Sequence, residues 1–306
     1  MQDSPDRPQA MGNLASPAPT GEDRGWYLYG ITRGGPRARD EIGAQAAMEA
    51  PAETDSGGAS VETIASGELL AIVRRVPLED FSAEALTAHA EDPAWIAVVA
   101  RRHNAIIERI HETRAILPAK FGCVYASADD VRAALDEERD GLLARLDWVD
   151  GCDEWGVRLY GDIATTRRRA DTEAESVRRL REELASASPG RAYFLQRKLA
   201  DELAGALDHL LDSLVAEAYE RFAQHAKAGE ISRRLASSRI NPEEESAELM
   251  RAAFLVPRES ADAFIGDLRG FSESQLGLWI EYSGPWPPYS FVAQIESLER
   301  APTEEE

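Results

Sequence analysis

Cysteine is nearly absent: Cys123 and Cys152 are the only two in 306 residues. Two thiols 29 positions apart make neither a disulfide framework nor a metal-ligand spacing, which fits a reducing compartment. Lysine is almost as scarce, with Lys120, Lys198 and Lys227 among 34 cationic residues, a usage we attribute to genome composition before function. No stretch approaches the ~18 consecutive apolar residues of a membrane span. The opening MQDSPDRPQAMGNLASPAPTGEDRG lacks the basic start and apolar segment of a secretory signal, and residues 1–24 read as a disordered tail. G-x-x-x-x-G-K-[ST], G-x-G-x-x-G and G-x-S-x-G are all missing, which removes the commonest sequence warrants for nucleotide or acyl chemistry. His111-Glu112 begins like a zinc-protease helix, but the position four after His111 is Ala115, so that metal site is excluded.

Cationic charge is also short. Thirty-four Lys and Arg face 55 Asp and Glu, a net charge of −21. Such a balance opposes binding to nucleic-acid backbones and to anionic membranes, and it favours solubility. The remainder is that of a globular chain, with 43% hydrophobic and 29% charged residues. The length suits two domains, because single cores seldom grow much past roughly 250 residues.

The run LGLWIEYSGPWPPYSFV, Leu276 to Val292, carries the most local information. Leu276, Leu278, Ile280 and Tyr282 alternate with Gly277, Trp279, Glu281 and Ser283, the two-residue period of a half-buried strand. Gly284 with Pro285, Pro287 and Pro288 is expected to end that strand and leave the sheet as a stiff extended corner. Trp286 and Tyr289 flank the prolines, and either form a rigid aromatic surface for a partner or fold back to seal the sheet edge. Leu278, Ile280, Trp286, Pro287, Pro288 and Tyr289 are therefore the candidate partner-binding residues.

Ahead of it, WYLYGIT (Trp26 to Thr32) reads as a strand, and residues 33–60 as a loop or insertion without sustained period. Val61 to Ala65 and Leu69 to Val73 flank Ser66-Gly67, expected to be a hairpin turn. Asp92-Pro93 starts a helix whose stripe includes Trp95, Val99, His103, Ile106 and Ile110. ILPAKFGCVYA (Ile116 to Ala126) is broken by Pro118 and Gly122, which places it at a sheet edge or bulge. Ser127 caps a further helix with Asp129 and Asp130 in its first turn, running to Val149. Asp150-Gly151 marks the boundary between expected domains at 25–150 and 151–296, with an acidic tail at 297–306.

In the second domain EWGVRLY (Glu154 to Tyr160) alternates, and Thr165 to Ser186 reads as a solvated helix or loop with a thin stripe of Ala174, Val177, Leu180 and Leu184. A long helix covers Tyr193 to Phe222, Ile231 to Ser238 and Leu249 to Val256 are strands, and Ser260 to Leu268 is a helix ended by Gly270. Strand, helix, strand, strand, helix, strand is the split-βαβ order of a ferredoxin-like α+β fold. Its first and third strands lie centrally, so Val157, Leu159, Phe254 and Val256 are expected in the core.

Catalytic candidates are few. His103 sits on an apolar stripe, where one core hydrogen bond accounts for it; Cys123 reads as a small buried hydrophobe, and Cys152 as an exposed linker residue. Paired acids at Asp129-Asp130 and Glu137-Glu138 fit a helix start and a solvated face, and Glu243 to Glu245 a loop.

WYLYGIT, ILPAKFGCVY, EWGVRLY followed by GRAYFLQRKL, and AAFLV with LWIEYSGPWPPYSFV together resemble the gas vesicle GvpL/GvpF protein family, in that family's order, over most of Trp26 to Val292. Residues 1–24 and 33–60 match nothing in that pattern, and Ala119 and Cys123 depart from it. The resemblance implies two α+β domains, the second ferredoxin-like, no catalytic residues and no cofactor. It implies an accessory or minor structural protein, located in the cytoplasm and at the gas vesicle. Its expected partners are the small hydrophobic shell protein and other gas vesicle accessory proteins, with no nucleic acid and no membrane. The competing expectation is a small-ligand or enzymatic ferredoxin-like protein whose cleft gathers His103, Glu154 or another titratable cluster.

Overall fold

The computed structural model describes residues 24–35, 42, 60–89, 91–234 and 245–292. Residues 1–23 of the expected 1–24 tail, most of the 33–60 insertion, residues 235–238, Glu243-Glu244 and the acidic tail lie outside them, and Arg24, expected in the tail, opens a strand. Two units are found. One draws on the described residues up to Gly151 and again from Trp286 onward; the other is Cys152–Pro285. The segment from Trp286, expected with the second domain, thus belongs to the first unit.

The first unit is built on an antiparallel sheet of β1 (Arg24–Arg33), β2 (Val61–Ser66), β3 (Leu69–Pro77), β4 (Ile116–Pro118) and β5 (Val124–Tyr125), ordered β2-β3-β1-β4 with β5 also on β1. The hairpin turn is Gly67-Glu68, one residue later than expected, because Ser66 still pairs with Leu69 and Gly67 takes a positive φ of 55° that glycine tolerates. Pro118 and Gly122 do break their segment, leaving two short strands with a loop between them. Helices α1 (Leu78–Phe81), α2 (Ala83–His89), α3 (Pro93–His111), α4 (Ala128–Glu137) and α5 (Arg139–Val149) complete the unit. Asp92 caps α3 by accepting from the amides of Ala94 and Trp95 at 3.0 and 3.2 Å. His103, Ile106, Ile107 and Ile110 then bury on one face of α3, and the three isoleucines share a core with Tyr27, Tyr29, Ile72 and Ile116. The single helix expected from Ser127 to Val149 is two, interrupted at Glu138.

In the second unit β6 (Cys152–Asp162), β7 (Ala228–Arg234), β8 (Ser246–Pro257) and β9 (Leu278–Trp286) form a sheet ordered β7-β8-β6-β9. Between β6 and β7 run α6 (Ile163–Glu173), α7 (Glu175–Ala185) and α8 (Pro189–Ala223); α9 (Ala261–Ser274) joins β8 to β9. The central strands place Val157, Leu159, Phe254 and Val256 in the core, with Leu211, Leu214, Ala218 and Phe222 of α8 and Phe264 and Phe271 of α9. Burying each phenylalanine contributes roughly 1.5–3 kcal/mol.

Several expectations give way here. The charge-rich segment after Asp162 is two ordered helices whose Ala170, Val177 and Leu180 are buried, since α8 offers them a partner that a local reading does not see. Gly270 lies inside α9. Cys152 opens β6 and is buried, while Cys123 is only half-buried. Leu276 precedes β9 and is exposed, and β9 runs on through Gly284 and Pro285 to Trp286 where the chain was expected to leave the sheet. Pro285 sits on the last strand of its sheet, where a missing amide is tolerated.

Candidate partner-binding surface

The six candidate residues separate into two groups. Leu278 is buried in the second unit's core and Ile280 packs against that core, so their side chains support β9. Trp286 and Tyr289 belong to the first unit and are 39% and 38% exposed. Pro287 and Pro288, expected on the surface, are buried. The amide of Tyr289 donates to the Pro287 carbonyl at 2.8 Å and that of Phe291 to Pro288 at 3.2 Å, folding Tyr289–Phe291 into a single 3₁₀ turn. That turn sends Phe291 into the unit, fully buried and 6.1 Å from the Trp148 ring on α5. The result is a short segment nailed down by Pro287, Pro288 and Phe291 and displaying two aromatic rings.

Tyr289 also donates its hydroxyl to Asn104 on α3 at 3.3 Å. The preceding residue of α3, His103, contacts a further exposed aromatic. Phe121 is 42% exposed and meets the His103 ring edge-on, with centroids 5.9 Å apart. Sequence reasoning passed over Phe121 because it treated Ile116 to Ala126 as one edge segment; an aromatic set between the two chain breaks Pro118 and Gly122 was the available signal.

His103 holds the loop that carries Phe121. Its Nε2 lies 3.2 Å from the Ala119 carbonyl, which can only accept, so that nitrogen bears the proton and the neutral Nδ1 accepts from the Tyr27 hydroxyl at 2.9 Å. Tyr27 in turn accepts the Gly122 amide at 3.3 Å, and the Ala119 amide donates to the Tyr29 carbonyl at 2.9 Å. Burial pushes the His103 pKa down to about 4 against a smaller upward pull from the Ala119 carbonyl, and burial raises the Tyr27 phenol and the Cys123 thiol. Both ring nitrogens are thus used in positioning a loop. Glu154, the other residue named for the competing cleft, lies in the second unit. Among the described residues no three His, Cys, Asp or Glu side chains gather as metal ligands, and no helix is long and apolar enough to cross a membrane.

The sequence pattern of the family described as "Gas vesicle synthesis protein GvpL/GvpF" matches residues 25–293. The chain belongs to the GvpL/GvpF family. Its relatives include gas vesicle protein L of Streptomyces sp. (strain CB03234), 28% identical over 274 residues that cover 90% of this chain and 95% of that one. Gas vesicle protein F of the same strain is 26% identical over 270 residues, covering 87% and 98%. The fold agrees with crystal structures of GvpF from Anabaena sp. PCC7120 (TM-score 0.55, 17% identity, 88% of this chain and 96% of that one) and from Microcystis aeruginosa (TM-score 0.54, 14%, 88% and 98%). GvpL/GvpF membership agrees with the resemblance read from the sequence, and the mixed helix-and-sheet architecture is common to this chain and the two crystal structures.

Proposed function

We propose that this chain is a gas vesicle accessory or minor structural protein that binds the small hydrophobic shell protein and supports vesicle assembly, working from the cytoplasm and at the vesicle, with other accessory proteins as further partners. The observation that carries the reading is the display of Trp286 and Tyr289 on buried anchors, since a rigid aromatic surface binds an apolar client at little ordering cost. A net charge of −21 supports it further, keeping a complex with an apolar subunit in solution. Strand addition at a sheet edge is the second route, for which β9, last in its sheet, and the β4 end of the first sheet are the places.

We also read the second unit as ferredoxin-like: what supports this is its β-α-β-β-α-β order with the first and third strands in the middle. Co-purification of the shell subunit tests the function. Trp286→Ala and Tyr289→Ala together are expected to lower recovery at least fivefold with the melting curve unchanged, and Phe121→Ser to lower it further. Undiminished recovery by the folded double variant removes this patch from the reading.

A further inference from the structure

Of the segments that mark the family pattern, GRAYFLQRKL has no part in the surface above. It forms the first turns of α8, in the second unit. The sheet core takes residues of α8 only from Leu203 onward, so some four turns at the amino end, about 20 Å, lie outside it. What this part of α8 packs on is α7, the two helices meeting with Val177, Leu180 and Leu195 buried and Arg191 reaching Glu183 at 3.5 Å.

Tyr193 and Phe194 are nevertheless 67% and 73% exposed, and their rings touch only edge-on at 5.8 Å. Arg197 and Lys198 follow at the three- and four-residue spacings that put all four side chains on one stretch of helix surface. Both cations are exposed, and neither makes an ion pair among the described residues, although Asp201 and Glu202 begin the next turn. From Glu175 to Lys198 there are six cations against three carboxylates, in a chain that is otherwise overwhelmingly acidic. Unpaired cations beside solvent-facing aromatic rings give a folded monomer nothing. They have the composition of a binding hot spot.

We propose that this end of α8 docks an acidic segment, bearing apolar side chains, of a partner protein. Its carboxylates would pair with Arg197 and Lys198 while its apolar groups cover Tyr193 and Phe194. Charge selects this occupant: a long uniform polyanion such as a nucleic acid or an anionic membrane meets the −21 of the whole chain, whereas a short acidic segment meets only the local excess of cations. The proposal concerns the second unit and stands independently of shell binding through the first.

The test places the photo-crosslinking residue p-benzoylphenylalanine at position 194 of the whole chain, in cells assembling gas vesicles, and maps the adduct by mass spectrometry. The expected adduct is a segment of a different protein with net negative charge, its yield falling at least fivefold when Arg197→Glu and Lys198→Glu are added. An adduct to a second copy of this chain, to nucleic acid or to lipid overturns the proposal. So do a segment without net negative charge, no adduct, or a yield the charge reversal does not move. Circular dichroism checks the fold; should the reversed variant lose helix, Arg197→Gln with Lys198→Gln is used under the same criteria.

Discussion

The Tyr27 hydroxyl donates to Nδ1 of a buried, neutral His103 at 2.9 Å. Because His103 titrates at about 4 when folded and near 6.5 when unfolded, the unfolded chain takes up more protons between those values. Its contribution to stability is complete above pH ~6.5 and is lost as pH falls towards 4, by about 3 kcal/mol in all. His103→Leu cannot titrate but leaves the Ala119 carbonyl without its donor, which costs about 1–3 kcal/mol at pH 7. Urea unfolding of both proteins is expected to show that gap shrinking by about 2–3 kcal/mol at pH 4.5. A gap independent of pH would mean that the histidine is not held neutral.

Trp286 and Phe291 stand five residues apart and do opposite things. Phe291 is fully buried against Trp148, and Phe291→Ala opens a cavity expected to cost about 3–5 kcal/mol. Trp286→Ala removes a ring that is 39% exposed and is expected to cost under about 1 kcal/mol. Denaturant midpoints of the two variants check this. A large loss for Trp286→Ala would show the ring to be a structural seal, the other role the sequence allows it.

What local pattern dictates was legible: the Asp92 and Ser127 caps, the central strands with Val157 and Phe254 inward, the break at Pro118 and Gly122. What long-range packing decides was not. Val177 and Leu180 look like a thin stripe on a charged helix until α8 lies beside them. Pro287 and Pro288 read as a surface corner because nothing near them in sequence announces that Phe291 reaches Trp148, more than a hundred residues earlier. For Trp286 and Tyr289 the residues themselves left display and sealing of the sheet edge both open, and neither their exposure nor their unit followed from local pattern; Phe121 was missed because its exposure depends on a loop held by Tyr27 and His103.

Gly284 precedes Pro285, the one proline within β9, in a backbone conformation that other residues do not readily take. Its φ of 135° is open to glycine and strained for other residues, and a Cβ there would stand 2.8 Å from the Glu154 carbonyl oxygen and 3.1 Å from the Trp155 ring. The close neighbour is backbone of the adjacent central strand, which cannot swing aside as a side chain would. Gly284→Ala is expected to cost about 1–3 kcal/mol, with a lowered melting temperature as the readout. Gly190→Ala on α8, where a Cβ meets nothing within 4 Å, is the matched control and is expected to leave stability the same or raise it by up to about 1 kcal/mol.

Ser127 and Asp130 satisfy each other's backbone at the start of α4: Ser127 Oγ accepts the Asp130 amide at 3.1 Å and Asp130 Oδ2 accepts the Ser127 amide at 2.9 Å. A third bond, Ser127 Oγ to Asp130 Oδ2 at 2.8 Å, couples the two side chains directly. Ser127→Ala is expected to cost about 1 kcal/mol, and Asp130→Ala a similar amount, since each strands one amide of the first turn. Because the side chains also bind one another, the double variant should lose less than the two single losses added together. Urea midpoints of the three variants give that coupling, and strict additivity would show that the two halves of the cap act independently.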